Sequence, residues 1–288
     1  MINHENKKDN VVFIHANGFP PASYDSILEN LKNNYKVDNF LLRPLWAKTT
    51  NYNNLKSWEL FYKDFEDFLD NSKIEKCIGL GHSIGGNIVL HTAIKKQNLF
   101  SKIILLDPTL YPPRMIFIWK IINFFKLQHY FLDLSRNTEK KTMKYNTKNE
   151  MFQKYRSKKI FQNIDDDILM NYINSITHTK KYVMRSMGRY RNRTQVYNKV
   201  EITYCNKWEK QIYNKGLLKD NYIWKNIHKL KIPCLIIRAH KSTALPLSSI
   251  KKIKKKNKLI KVETLRDVTH LFPFEQPKIA IKKINNFI

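Results

Sequence analysis

The stretch Gly81-His82-Ser83-Ile84-Gly85 decides the fold, together with the apolar run before it at 76–80 and the helical segment after it at 87–96. In a tight turn from strand to helix, side chains two residues before and after the Ser would collide with neighbouring backbone, which explains both Gly positions. The chain has only seven Gly, and three of them lie at 81, 85 and 86. The alternative is a Gly-rich turn with an incidental Ser. The surrounding strand and helix favour an exposed nucleophile at Ser83, with the Ile84 amide placed to stabilise a developing oxyanion.

Working outward from this turn, strands alternate with helices, which predicts an α/β fold with a mainly parallel sheet and helices on both faces. The predicted strands lie at 11–15, 35–42, 76–80, 102–106, 233–238 and 259–265. The predicted helices lie at 23–34, 55–69 and 87–96, in the Lys-rich segment after 246, and at 276–288. The alternation stops between about 109 and 229, where helical or ambiguous segments dominate. We therefore expect a core formed by 1–108 and 230–288 that carries a helical cap insertion at 109–229.

The net charge of +28 raises the question of a nucleic-acid or membrane partner. However, 42 of the 52 basic residues are Lys, spread along a chain that also holds 30 Asn, so the charge is typical of compositional bias on a solvated surface. No nucleic-acid-binding motif accompanies it. We expect a small-molecule substrate, acyl or anionic, and no nucleic-acid partner; contact with a membrane surface is not favoured.

The remaining composition predicts no cofactor, no metal and a cytoplasmic location. The three Cys are widely spaced, which offers neither a disulfide framework nor paired metal ligands. The first ten residues are polar and lack the apolar region of a signal peptide. No stretch approaches the roughly 20 apolar residues of a membrane span.

Two loops supply partners for Ser83. His270 lies in Thr269-His270-Leu271-Phe272-Pro273, after the last predicted strand, where a neutral imidazole could take the Ser83 proton. The segment 15–20, His-Ala-Asn-Gly-Phe-Pro, follows the first strand and would bring a second oxyanion donor to the same sheet edge, unless it only closes a turn.

These segments resemble the alpha/beta-hydrolase superfamily, and those at 43–46 and 105–113 are similar to a largely uncharacterised bacterial subgroup of it. The resemblance covers the predicted core, and the insertion resembles the variable cap of that superfamily. It implies a Ser-His-acid triad, an oxyanion hole at Asn17 and Ile84, and substrate entry beneath the cap. It also implies an antiparallel N-terminal hairpin. Only about ten polar residues precede the first strand here, so we expect that hairpin to be shortened and the sheet to have about six strands.

The triad acid departs from the usual pattern. Superfamily members usually carry it after the strand at 233–238, but residues 239–246 contain no carboxylate. The other acid position known in the superfamily follows the strand that comes after the helix downstream of Ser83. Asp107 stands at this position. We assign Asp107 as the acid and expect its side chain to lie at a cleft. Asp267 is a weaker candidate, because it lies only three residues from His270. If Asp107-Pro108 is merely a structural turn, the triad is incomplete.

The insertion has two further features. Residues 115–127 form an amphipathic helix that could cover an acyl pocket or lie on a membrane, although packing on the core is the favoured interpretation. Residues 185–193 hold four of the ten Arg, and Arg189 among them could bind an anionic substrate group, although a solvated or ion-paired face is favoured. Phe19 and His82 are the other residues assigned to substrate binding, although His82 is expected to pack rather than react.

The sequence therefore predicts a capped serine hydrolase acting on a carboxylic ester, thioester or lactone through an acyl-enzyme on Ser83. The rival interpretation is a non-catalytic protein that keeps the fold and uses its basic cap to bind an anionic ligand or membrane. The carboxylate-free loop at 239–246 is the main support for that rival.

Overall fold

The central sheet forms from short apolar runs whose successive side chains point to opposite faces. In the computed structural model, which describes residues 9–46, 51–127, 138, 140–187, 192–216 and 221–288, Val12 and Ile14 pack on one face and Val11 and Phe13 on the other. Both faces are covered by helices, so these strands are apolar throughout rather than alternating.

Six parallel strands make up this sheet: β1 (Asn10–Ile14), β2 (Lys36–Phe40), β3 (Cys77–His82), β4 (Phe100–Leu106), β8 (Cys234–Ala239) and β9 (Ile260–Leu265). Their order across the sheet is β2-β1-β3-β4-β8-β9, which confirms the predicted fold class and strand number.

The helices of the core lie on the two faces of the sheet. One face carries α2 (Glu59–Asn71), α3 (Ile84–Lys95) and α9 (Leu247–Lys256). The other carries α1 (Asp25–Lys32) and α11 (Pro277–Asn285), while the short α10 (Phe272–Glu275) precedes α11. The amphipathic spacing of α2 buries Phe61 and Phe65, as the sequence predicts.

The insertion is helical, as predicted, and it also contains a small sheet that the sequence analysis did not predict. Its helices are α4 (Pro113–Phe124), α5 (Lys148–Arg156), α6 (Asp166–Ile176), α7 (Asn206–Lys215) and α8 (Asn221–Asn226). Its strands are β5 (Lys144–Tyr145), β6 (Thr177–Met187) and β7 (Asn192–Ile202), which pair antiparallel in the order β5-β7-β6. Val183 and Val196 are exposed to solvent, so this hairpin buries no continuous apolar face. Without such a face, the sequence lacks the alternating apolar pattern that would predict its strands.

The chain order places a crevice where the strand order reverses. β2 lies on one side of β1 and β3 on the other, so the loops after β1 and β3 diverge at the carboxyl edge of the sheet. Ligands of open α/β sheets bind at such reversal points. Within the part of the chain that the structure describes, no helix has the length and apolar character needed to cross a bilayer.

Candidate active site

Ser83 occupies a strained backbone position between β3 and α3. Its φ of 57° and ψ of −120° lie outside the regions that L-residues favour. A Cβ on Gly85 would stand 2.1 Å from the carbonyl oxygen of Ile14, and one on Gly81 would stand 2.5 Å from the Gly85 carbonyl. The steric explanation of the two Gly therefore holds, and Ser83 is held at the start of α3.

Ser83, His270 and Asp107 form a continuous hydrogen-bonded series. The Ser83 Oγ lies 2.9 Å from His270 Nε2, and His270 Nδ1 lies 2.6 Å from Asp107 Oδ2. The other carboxylate oxygen, Oδ1, accepts the backbone N–H of Ala239 at 3.1 Å. Because Asp107 accepts at Nδ1, the imidazole of His270 is oriented with Nε2 facing the hydroxyl.

The environment of Asp107 corrects one expectation. Its side chain is 0% exposed rather than lying at a cleft, because it is enclosed between the ends of β4 and β8. The Asp107 N–H donates to the Ile237 carbonyl at 2.7 Å, and its φ of 40° turns the chain sharply at this point. Asp267, the weaker candidate, is exposed on the surface.

The two predicted oxyanion residues line the same cavity as Ser83. Ile84 begins α3, where the first backbone N–H groups have no intrahelical acceptor. The Asn17 side chain is fastened to the cap: its Nδ2 donates to the Glu209 carbonyl at 3.1 Å, and its Oδ1 accepts from the Tyr204 hydroxyl at 3.0 Å. The insertion therefore holds the loop that contains Asn17.

His82 is fully buried and does not line the cavity beside Ser83, so the structure gives its assignment to substrate binding no support. The ring is fully buried, and burial lowers its pKa well below the ordinary value, which keeps it neutral. Its Nε2 donates to the His270 carbonyl at 3.0 Å, and its Nδ1 accepts from the Tyr24 hydroxyl at 2.7 Å. The Tyr24 oxygen in turn accepts the Ala16 N–H at 3.2 Å. His82 therefore links the turn that carries Ser83 to the loop that contains Ala16 and to the loop that contains His270.

Sequence reasoning missed Thr109 and the cap tyrosines. The Thr109 Oγ1 lies 3.1 Å from the Ser83 Oγ, and its backbone N–H donates to the Ser83 carbonyl at 3.0 Å. Thr109 follows Asp107-Pro108 directly, so a second polar side chain at the end of β4 was the available signal. No sequence signal could connect Tyr204 with Asn17, because 187 residues separate them.

The cavity beside Ser83 is small and mostly apolar, with a volume of about 140 Å³. Trp58, Ile212, Tyr213 and Leu271 contribute to its walls, and no Lys, Arg, Asp or Glu of the described residues lines it. A Cβ on Gly216 would stand 2.4 Å from the Trp58 ring, so the absence of a side chain there leaves room for the indole.

The other two substrate-binding assignments have different outcomes. Phe19 lines the cavity, and its ring stacks on Tyr172 and Phe274 at centroid separations of 4.7 and 5.1 Å. Arg189 lies outside the described residues, so its assignment stays a prediction.

A parallel α/β sheet with a strained Ser between β3 and α3, hydrogen-bonded to a His from the loop after the last strand, is the arrangement of an alpha/beta hydrolase. The chain belongs to the hydrolase family described as serine aminopeptidase, S33, whose model matches residues 49–276. No curated protein matches the chain.

Solved structures show the same fold at low sequence identity. E-2-(acetamidomethylene)succinate hydrolase is 15% identical with a TM-score of 0.73, over 98% of this chain and 92% of that chain. The thioesterase domain from the curacin biosynthetic pathway is 12% identical with a TM-score of 0.67, over 97% and 92%. An esterase of M. tuberculosis is 12% identical with a TM-score of 0.68, over 97% and 85%. These similarities establish the fold.

Proposed function

We propose that this protein is a serine hydrolase that cleaves a carboxylic ester, thioester or lactone of a small molecule. The single observation that carries the proposal is the continuous series from the Ser83 hydroxyl through His270 to the buried Asp107. Both contacts lie within hydrogen-bond distance, at 2.9 and 2.6 Å. The three residues come from separate loops, and two of them, Ser83 and His270, line the cavity.

The reaction begins with proton transfer. His270 Nε2 accepts the Ser83 proton as the Oγ bonds to the substrate carbonyl carbon, and Asp107 stabilises the imidazolium. The carbonyl oxygen becomes negative, and the amides of Asn17 and Ile84 donate to it. As the tetrahedral intermediate collapses, His270 gives the proton to the leaving alcohol or thiol, which leaves an acyl group on Ser83.

Hydrolysis of the acyl group uses the same residues. Water attacks the acyl carbonyl while His270 Nε2 takes one of its protons, and the oxyanion again forms at the two amides. Collapse of this second intermediate releases the carboxylic acid, and His270 returns the proton to the Ser83 Oγ.

The rival, a non-catalytic binding protein, loses its main support. It rested on the carboxylate-free loop at 239–246, but Asp107, at the end of the neighbouring strand, is hydrogen-bonded to His270 Nδ1 and can act as the acid. At the end of β8, where superfamily members usually carry the acid, Ala239 contributes no carboxylate. Its backbone N–H donates to Asp107 instead.

The cavity favours a short, uncharged acyl group. A comparable engineered apolar cavity of about 150 Å³ holds benzene, whereas pockets for drug-sized ligands measure about 300–1,000 Å³. The cavity here has about 140 Å³, and its described lining carries no ionised carboxylate or cation. An anionic substrate group would therefore have to lie outside it.

A fluorophosphonate probe tests the mechanism directly. We expect covalent labelling of wild-type protein at Ser83 and none in Ser83→Ala, whereas His270→Ala should label much more slowly because the hydroxyl loses its base. Circular dichroism of both variants controls for folding. Equal labelling of Ser83→Ala and wild type would disprove the assignment of the nucleophile.

A series of p-nitrophenyl esters from acetyl to decanoyl tests the substrate class. Each added methylene that enters the cavity is worth about 0.8 kcal/mol, so kcat/KM should rise up to about fourfold per carbon. The rise should stop near four to six carbons, where the cavity is filled. A continued rise to decanoyl would contradict the proposed acyl size but leave the serine mechanism intact.

A further inference from the structure

Helix α4 exposes an apolar face that the proposed reaction does not use. Phe117 and Phe124 are 64% and 78% exposed, and three more large apolar side chains of the same face are exposed with them. These three are Ile118, Ile121 and Phe125. The opposite face packs into the protein through Ile116 and Trp119, which are buried. The outer face is therefore not needed to hold the helix in place.

This helix is fastened to the elements that form the cavity. Tyr111, two residues before α4, lines the cavity, and its carbonyl accepts from Trp224 Nε1 at 2.6 Å. Near the other end, Asn123 accepts from Lys215 Nζ at 3.2 Å, and Lys215 ends the helix whose Ile212 lines the cavity. A ligand on the outer face of α4 would therefore lie close to the active site.

The segment that contains α4 carries positive charge only. Residues 108–127 contain no Asp or Glu, and Arg114, Lys120 and Lys126 are exposed among them. A second carboxylate-free segment, 221–262, meets the first where the Ser249 hydroxyl donates to the Leu110 carbonyl at 2.7 Å. An exposed apolar helix face with cations beside it is the pattern of helices that lie in the interface of an anionic bilayer.

The charge also decides between the two simplest occupants. A second copy of this chain would bring another +28 charge to the same surface, and like charges would oppose the contact. An anionic bilayer offers both the apolar medium for the Phe side chains and the opposite charge for the cations.

We propose that the outer face of α4 binds the surface of an anionic lipid bilayer, with Phe117 and Phe124 inserted between the lipids. The cavity beside Ser83 then lies near the membrane surface.

Vesicle co-sedimentation of the full-length protein tests this proposal. We expect strong binding to vesicles of phosphatidylcholine with 30% phosphatidylglycerol and weak binding to phosphatidylcholine alone. A double variant, Phe117→Ser with Phe124→Ser, should bind the anionic vesicles at least tenfold more weakly while its hydrolysis of soluble esters is unchanged. Leu259→Ser is the matched control, since Leu259 is likewise an exposed apolar residue, at 66%. It directly precedes β9 and therefore lies at the amino edge of the sheet, whereas α4 follows the carboxyl edge.

Three outcomes would overturn the proposal. The first is that wild-type protein does not bind anionic vesicles. The second is that the double variant binds them as tightly as wild type, which would mean that charge alone causes the binding. The third is that light scattering reveals a dimer which the double variant dissociates, which would assign the face to a second copy.

Discussion

At the scale of single residues, Asp107 combines a charge with an almost complete absence of solvent. A buried carboxylate is costly unless it is paired and hydrogen-bonded, and here His270 and the Ala239 amide supply both oxygens with partners. The carboxylate thereby fixes which nitrogen of His270 faces Ser83. Its effect on the reaction should consequently be much larger than its contribution to binding substrate.

Replacing Asp107 with Asn tests this role. The amide can still accept from Ala239 N–H, but its NH₂ would face His270 Nδ1 and favour the wrong tautomer. We expect kcat to fall by about 10³ to 10⁴ with little change in KM. Steady-state kinetics on a short ester measure the effect, and Asp267→Asn, at an exposed position, serves as control. A fall of less than tenfold in Asp107→Asn would contradict the role of Asp107.

His82 supports the reaction from outside the cavity. Its Nε2–H holds the His270 carbonyl, and loss of that donor should let the loop shift, which even at 1 Å can slow a reaction about a hundredfold. We expect His82→Met to lower kcat tenfold to a hundredfold with KM nearly constant. His82→Gln has similar length but keeps an N–H donor, so it should recover most of kcat. Equal losses in the two variants would show that packing alone matters.

At the scale of elements, the insertion at 109–229 holds the loop after β1, which contains Asn17. Tyr204 binds the Asn17 side chain, and the Tyr172 hydroxyl donates to the Gly18 carbonyl at 3.3 Å. Glu209, whose carbonyl accepts from Asn17, forms an ion pair with Lys141 at 2.9 Å. These contacts connect helices α6 and α7 and the end of β7 to the loop after β1. Movement of the insertion would therefore disturb the proposed oxyanion hole at Asn17 and Ile84.

Tyr204→Phe tests this connection. The substitution removes the Tyr204 donor from the buried Asn17 Oδ1, at a cost of up to about 1–3 kcal/mol. If part of that cost loosens the Asn17 backbone, kcat should fall about tenfold. Tyr155→Phe is the matched control: Tyr155 is also a buried cap tyrosine, but its hydroxyl has no hydrogen-bond partner among the described residues. Comparable kcat values for the two variants would argue against the connection.

Most core elements and the three residues of the series could be predicted from sequence, because each depends on local signals. Apolar runs predict strands, two Gly bracket Ser83, and Asp107 follows from the absence of a carboxylate at 239–246. The cap hairpin could not be predicted, because β6 and β7 are stabilised mainly by each other's backbone rather than by an apolar face. The role of His82 depends on Tyr24, 58 residues away, which sequence patterns do not connect.

At the scale of the whole molecule, buried neutral His residues make stability depend on pH. Burial lowers the pKa of His15 and His91 from 6.5 to about 4. His15 also uses Nε2 to accept the Leu42 N–H at 3.1 Å, so a proton there would break a hydrogen bond. Between about pH 6.5 and 4 the unfolded chain binds more protons than the folded protein. Stability is therefore full above pH 6.5 and falls as the pH drops toward 4.

His91→Phe measures the contribution of His91 to this pH dependence of stability. The His91 ring stacks on Tyr62 at 3.8 Å between centroids, an arrangement that Phe can keep without titrating. Urea unfolding at pH 7.5 and 4.5 should show that the variant loses less stability on acidification, by up to about 3 kcal/mol. His178→Phe is the control, because His178 is half exposed on the hairpin. An unchanged pH dependence in His91→Phe would contradict the assignment.

The strained backbone at Ser83 implies that the protein forgoes part of its stability at the residue that we propose as its nucleophile. A φ of 57° with ψ of −120° costs a non-Gly residue about 1–3 kcal/mol, whereas Gly adopts such angles readily. Ser83→Gly should therefore melt at a higher temperature than wild type, despite losing the hydrogen bond to His270 and all hydrolysis. Selection for thermostability alone would drive this chain toward an inactive relative, so heat resistance and turnover must be selected together.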